Sequence, residues 1–226
     1  MPDPLQRLTI EDILFEIRQA EREKREADLS NKLLPEISIS GRTFNTNLNF
    51  SGSTIQGAIY FNNCIINGDI KFNDCLIYTT IYINECELNN FFGQNIKVRE
   101  VINFLASKIK QDINLTKALV KGFVGLNRTE IKGSVILDNI QIKDILTKSG
   151  TVRGDLYIRN ANVAGNISLK DAYIEGLGSF EDSVIQKDLD LTRARFSEIV
   201  DLSRLALNGQ AITQDLVCKN LLAHLN

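Results

Sequence analysis

From Leu33 onward, apolar positions recur along the chain with a period of 11 residues. The segments CIINGDIKFND (64–74) and CLIYTTIYINE (75–85) show it most plainly, with Cys64, Cys75 and Cys86 each 11 apart. A unit reads apolar, any, often Gly, any, apolar, any, apolar, any, often Asn or Asp, small, any. Units open at Leu33, Phe44, Ile55, Ile66, Ile77, Leu88, Val98, Ile109, Val120, Ile131, Ile142, Val152, Val163, Ile174, Ile185 and Phe196. Of these 16 units, those at Leu88 and Ile142 are one residue shorter than the rest. The first column is apolar in all 16 units and the fifth in 15, Gly178 being the exception. The seventh fails only at Gln94 and Lys148, both in the short units. A chain that is 43% hydrophobic overall does not produce such columns by chance.

Columns 1, 5 and 7 lie an even number of residues apart, so their side chains face one way along an extended chain. A helix would space them by 3 or 4. Isoleucine and valine dominate, as strands prefer. Many short strands at fixed spacing define a β-solenoid. Eleven residues at about 3.3 Å each give a perimeter of only about 36 Å, too small to hold Ile and Phe between opposed walls. Two units together close a coil, with a three-unit coil as the alternative. The expected fold is all-β, a β-helix of about eight 22-residue coils over 33–210 in which residues 22 apart stack. No Pro follows Pro35, which suits a chain whose every coil donates N–H groups to the next. Gly57, Gly68, Gly122 and Gly133 share the third column and suit a corner of unusual backbone geometry.

The ends depart from the repeat. Residues 9–28 read as a helix: Thr9 is a candidate N-cap with Asp12 three residues on, and Ile10, Ile13, Leu14 and Ile17 form an apolar stripe. This helix, with the linker to residue 32, is expected to cover the first coil, a partner-binding helix being the alternative. Residues 211–226, with Leu216, Val217, Leu221, Leu222 and Leu225, suggest a second short helix that caps the other end or pairs with its copy in a homodimer.

Composition narrows the function. Lys and Arg number 26 against 28 Asp and Glu, leaving net −2, so neither direct nucleic-acid binding nor extreme acidic DNA mimicry is expected. His224 is the only histidine, which speaks against a histidine triad or a histidine-ligated metal. No apolar run approaches the ~18 residues of a membrane span. The N-terminus MPDPLQRLTIED has no basic region followed by an apolar one. A soluble cytoplasmic setting with free thiols is the resulting expectation.

Ala161-Asn-Val-Ala-Gly, Ala194-Arg-Phe-Ser-Glu and Cys64-Ile-Ile-Asn-Gly resemble the pentapeptide repeat. The resemblance spans about 33–210 and implies a right-handed, four-sided β-helix in which four fives make a coil. Most units here add a sixth residue to one of the two fives, so longer or bulged sides are expected. Some members of that family resemble DNA in charge and bind type II topoisomerases, but those are strongly acidic.

The chemistry-bearing residue types read mostly as structure. Cys64, Cys75 and Cys86 occupy the small tenth column, where later units carry Ser107, Ala118 and Thr129. In a two-unit coil Cys64 and Cys86 stack while Cys75 faces elsewhere, which leaves no three-ligand metal site. Asn62, Asn73, Asn84 and Asn127 share the eighth column and suit hydrogen-bonded ladders between coils. No catalytic, cofactor-binding or metal-binding residue is expected. The sharper signal is apolar residues in columns that should face solvent: Tyr60, Ile65, Leu76 and Tyr82 are the candidate protein interface. The expected function is a non-enzymatic interaction or scaffold module with a protein partner. The alternatives are a topoisomerase-binding DNA mimic and a filament-forming protein like the bactofilins.

Overall fold

A computed structural model describes residues 5–143, 145–147, 150–152 and 154–211, and shows a parallel β-solenoid of about nine turns. Each coil lays one short strand on each of four walls. A representative coil runs Thr54–Ile55 on wall 1, Ile59–Asn62 on wall 2, Ile65–Ile66 on wall 3 and Ile70–Lys71 on wall 4, then returns to wall 1 at Leu76–Ile77. Walls 1 and 3 hold nine strands each, and walls 2 and 4 hold eight. Alternation buries one side of most strands: Ile59 and Phe61 point inward while Tyr60 and Asn62 point out. Residues 22 apart stack, Ile59 on Ile81 and Ile113 on Val135. Amides donate along the axis, as from Ile59 to the Thr80 carbonyl at 2.9 Å.

The core is one continuous cluster built from stacked columns. Phe50 and Phe72 stack at 4.7 Å with rings 8° from parallel, Phe91 follows Phe72 at 5.7 Å, and Phe104 meets Phe91 edge-on. All four are fully buried.

The register corrects the expected repeat in three places. Leu34, not Leu33, opens the first unit, because Leu34 pairs with Ile55 and is the buried one of the two. The short unit at Leu88 loses its residue in the corner before wall 4, so that Phe91 rather than Phe92 stacks on Ile70. The second short unit is not a unit at all. Between wall 1 and wall 2 the chain leaves the coil as an antiparallel hairpin, Ile145–Thr147 against Gly150–Val152. Stacking then resumes with a spacing of 32, Ile142 on Ile174 and Val124 on Leu156.

The corners also differ from expectation. The left-handed residue is in the ninth column, not the third: Asn63, Asp74, Ala106, Lys117 and Asn139 have φ of 52–61°. Asn and Asp tolerate this conformation and Ala or Lys do so at a cost. Of the third-column glycines, Gly122 alone has positive φ, at 124°. At Gly68 the reason is proximity instead, since a Cβ there would sit 2.4 Å from the Thr46 carbonyl oxygen.

The N-terminal helix α1 spans Ile10–Glu23, shorter than the expected 9–28. Its capping box is formed: the Asp12 amide donates to Thr9 Oγ1 at 3.2 Å and the Thr9 amide to Asp12 Oδ2 at 2.9 Å. Lys24 then turns left-handed and ends it. The charged stretch after it is extended: Ala27–Asp28 joins wall 4, and Gln6–Arg7 joins wall 1. The first completes the eight strands of wall 4, and the second brings wall 1 to nine, one more than the eight coils expected. Ile13, Ile17 and Ala20 of α1 are buried in the same core as Leu29 and Leu34, so the helix covers the first coil. Arg25 clamps it by donating to both Glu16 carboxylate oxygens, which holds the Glu16 carboxyl below its usual range. At the far end Leu189, Leu191, Phe196 and Leu202 are only partly buried. The expected C-terminal helix, with Cys218 and His224, lies outside the described residues. Among the described residues no helix is long and apolar enough to cross a membrane.

Candidate functional site

The four walls separate the candidate interface residues. Tyr60 and Tyr82 are register partners on wall 2, with rings 5.6 Å apart and 3° from parallel. Ile65 lies on wall 3, paired with Glu87, and Leu76 on wall 1, paired with Thr54 and Lys97. Walls 1 and 3 are opposite, because residues 11 apart are half a turn apart. The structure therefore brings the two tyrosines together and takes Ile65 and Leu76 away from them. Ile65 is 43% exposed, as an outward position should be.

Wall 2 has further properties that the column pattern did not reveal. Its first four strands, Ile37–Ser40, Ile59–Asn62, Ile81–Asn84 and Ile102–Leu105, each have four residues, whereas most others have two. Two outward columns run up them. One is Ser38, Tyr60, Tyr82 and Asn103; its next register position, Gly125 of Val124–Gly125, is buried beside the Asn103 and Phe123 side chains. The other is Ser40, Asn62, Asn84 and Leu105. None of these eight outward positions is charged, in a chain that is 24% charged. The other walls are ionised at the same levels: Lys97 and Arg99 on wall 1, Glu87 and Lys108 on wall 3, Lys71 on wall 4.

The asparagine ladder is present but broken. Asn84 Nδ2 donates to Asn62 Oδ1 at 3.1 Å. Leu105 then occupies the next rung, 36% exposed, and Asn84 Oδ1 is shielded from solvent without a donor. Asn103 Oδ1 and Asn127 Oδ1 are left in the same state. Three donor-less amide oxygens thus gather on one wall.

The small tenth column is a hydrogen-bonded corner. Ser107 Oγ donates to the Ile83 carbonyl at 2.8 Å and accepts from the Cys86 amide at 3.1 Å. Cys86 Sγ does the same work one coil earlier, lying 3.3 Å from the Phe61 carbonyl and 3.4 Å from the Cys64 amide. Thiols stand in for hydroxyls in this role. Burial pushes the Cys75 thiol up to about 12, and Cys86 is raised by its contact with Cys64 and then by burial. For Cys75 and Cys86 these are the marks of unreactive structural thiols, whereas the same contact with Cys86 lowers the buried Cys64 thiol. Cys75 sits at the wall 4–wall 1 corner, diagonally across from Cys64 and Cys86 at the wall 2–wall 3 corner.

Ion pairs run between coils. Arg193 makes a two-pronged contact with Asp171 at 2.6 and 2.8 Å, and Arg204 reaches Asp182 and Glu181. Asp190 and Asp201, each three residues before one of these arginines, accept instead from the Thr192 and Ser203 amides of their own turns.

The fold defines a class, that of parallel β-solenoid repeat proteins. No family model matches the chain, and no curated protein or solved structure matches it significantly.

Proposed function

We propose that this chain is a non-enzymatic interaction or scaffold module that meets a protein partner through wall 2. The observation that supports it is the uncharged, flat face built on Tyr60 and Tyr82. Large aromatics beside uncharged polar groups are the usual anchors of protein contacts, and charged residues are depleted there. We also read the coil as a longer-sided relative of the pentapeptide-repeat helix, on the four walls and the small corner residue of each unit. A topoisomerase-binding DNA mimic is disfavoured, because the charged walls mix both signs: Glu87, Lys108 and Glu130 follow one another on wall 3.

A pull-down with quantitative mass spectrometry tests the reading. The wild-type chain should enrich a partner that a Tyr60→Ser/Tyr82→Ser variant, first shown folded by circular dichroism, loses. Equal enrichment by both chains would remove wall 2 from the function.

A further inference from the structure

We propose that wall 2, from Ile37 to Leu105, is a self-association face through which two copies of this chain pair wall against wall. The inference rests on reading the protein as an interaction module and names the partner as a second copy.

The first argument is charge. In an isologous contact each residue meets a copy of itself or of a near neighbour. A face with net charge therefore repels its own copy. Over its first four strands wall 2 avoids this at all eight outward positions, while each of the other walls carries ionised groups at the same levels.

The second argument is hydrogen-bonding chemistry. The hydroxyls of Ser38, Tyr60 and Tyr82 and the amides of Asn62, Asn84 and Asn103 each carry both a donor and an acceptor. Such groups bind their own kind, which an ammonium or a carboxylate cannot. Asn84 Oδ1 and Asn103 Oδ1 already lack donors within the chain.

The third argument is shape. The tyrosine rings lie against each other, 5.6 Å apart and 3° from parallel, so each covers one face of the other. A sugar stacks on an open ring face, so this arrangement suits a protein surface better than a glycan. The long strands make the contact flat. The four long-stranded levels, about 4.8 Å apart and crossed by strands about 13 Å long, offer roughly 250 Å² per copy. That area lies in the range of weak, transient contacts. The dimer should therefore form at high concentration only.

Sedimentation equilibrium on the full chain, from about 10 μM to about 1 mM, reads this directly. The wild type should shift from monomer towards dimer over that range. Tyr82→Lys and Tyr82→Glu should each weaken association at least about tenfold, and an equimolar mixture of the two should restore it, because opposite charges then face each other. Should either lose its circular-dichroism signature, the exposed Ser38→Lys and Ser38→Glu pair replaces them. Asn114→Lys, on wall 4, should leave association unchanged. A chain that stays monomeric at the top concentration, or a dimer that wall-2 charges do not weaken, overturns the proposal. Capture of a different protein, lost in Tyr60→Ser/Tyr82→Ser while the chain itself stays monomeric, would overturn self-association and leave the interaction module standing. Failure of both assays would remove both.

Discussion

Replacing Leu105 by Asn should stabilise this protein, although it removes a leucine that is mostly covered. Leu105 is 36% exposed, so roughly 110 Å² of it lies against its neighbours, about 3 kcal/mol of apolar burial at 25 cal/mol/Å². An asparagine of similar length keeps roughly half of that contact, for a loss of about 1.5 kcal/mol. Against this stands Asn84 Oδ1, one rung below, shielded and without a donor. The new side-chain amide would extend the 3.1 Å bond between Asn84 and Asn62 by one rung. Giving a buried acceptor its donor recovers about 2–3 kcal/mol. The net gain is about 0.5–1.5 kcal/mol. The decisive measurement is a double-mutant cycle by urea denaturation at low micromolar concentration. In an Asn84→Ala background the acceptor is gone, and the same Leu105→Asn change should cost about 1 kcal/mol or more. A sign that does not reverse between the two backgrounds would refute the ladder as an energetic unit.

Further expectations follow from single contacts. Ile70→Asp should cost at least about 4 kcal/mol by urea denaturation, since Ile70 is fully buried between Leu48 and Phe91, whereas Asn114→Asp, outward on the same wall, should stay within about 0.5 kcal/mol; comparable costs would mean that the inward columns are misassigned. Ala106→Gly should raise stability by about 0.5–1 kcal/mol, read from the denaturation midpoint, because Ala106 holds a φ of 52° that glycine adopts freely, and a loss of stability would contradict the corner geometry. Ser107→Ala should cost about 2 kcal/mol by stranding the Ile83 carbonyl and the Cys86 amide, while Ser107→Cys should cost under about 1 kcal/mol, as measured by thermal melts of the two variants side by side. The Arg193 guanidinium holds the Asp171 carboxyl below its usual range, so the pair stabilises above the ordinary carboxylate pKa and loses that effect as pH falls through the lowered one; Asp171→Asn should lower the melting temperature at pH 7 and match wild type in strong acid.

The inward face of this fold is written in the chain because each wall strand needs only one or two apolar residues at fixed spacing. Ile59, Ile70 and Ile81 are placed inside by their columns alone, and the stacking of every second unit follows from the size of a coil that can hold them. The wall on which an outward residue sits is less accessible. Ile65 and Leu76 share a column with each other but are half a turn apart, and only counting four short sides rather than two long ones separates them from the tyrosines. The hairpin is disguised because Ile142 and Val152 are spaced like the ends of a unit with one deletion, and Leu146 happens to satisfy the fifth column. The left-handed corner is hidden by its occupants, since Lys117, Arg128 and Ala106 carry no compositional signature of positive φ. The empty charge record of the first four strands of wall 2 is present in the sequence throughout. It becomes visible only when positions 22 apart are gathered into one surface.

The hairpin at 145–152 shows how this architecture absorbs change in length. Before it, Val120 stacks under Ile142, and after it, Ile142 stacks under Ile174 in the same register, as though nothing lay between. Pitch, wall spacing and core columns are set by contacts between successive coils, and a detour that starts and ends at one corner disturbs none of them. The corner between walls 1 and 2 is in effect a splice point. A grafted loop, epitope or second domain entered there would ride on the side of the rod at a height fixed by the coil count, leaving both ends and the tyrosine-bearing levels below it untouched.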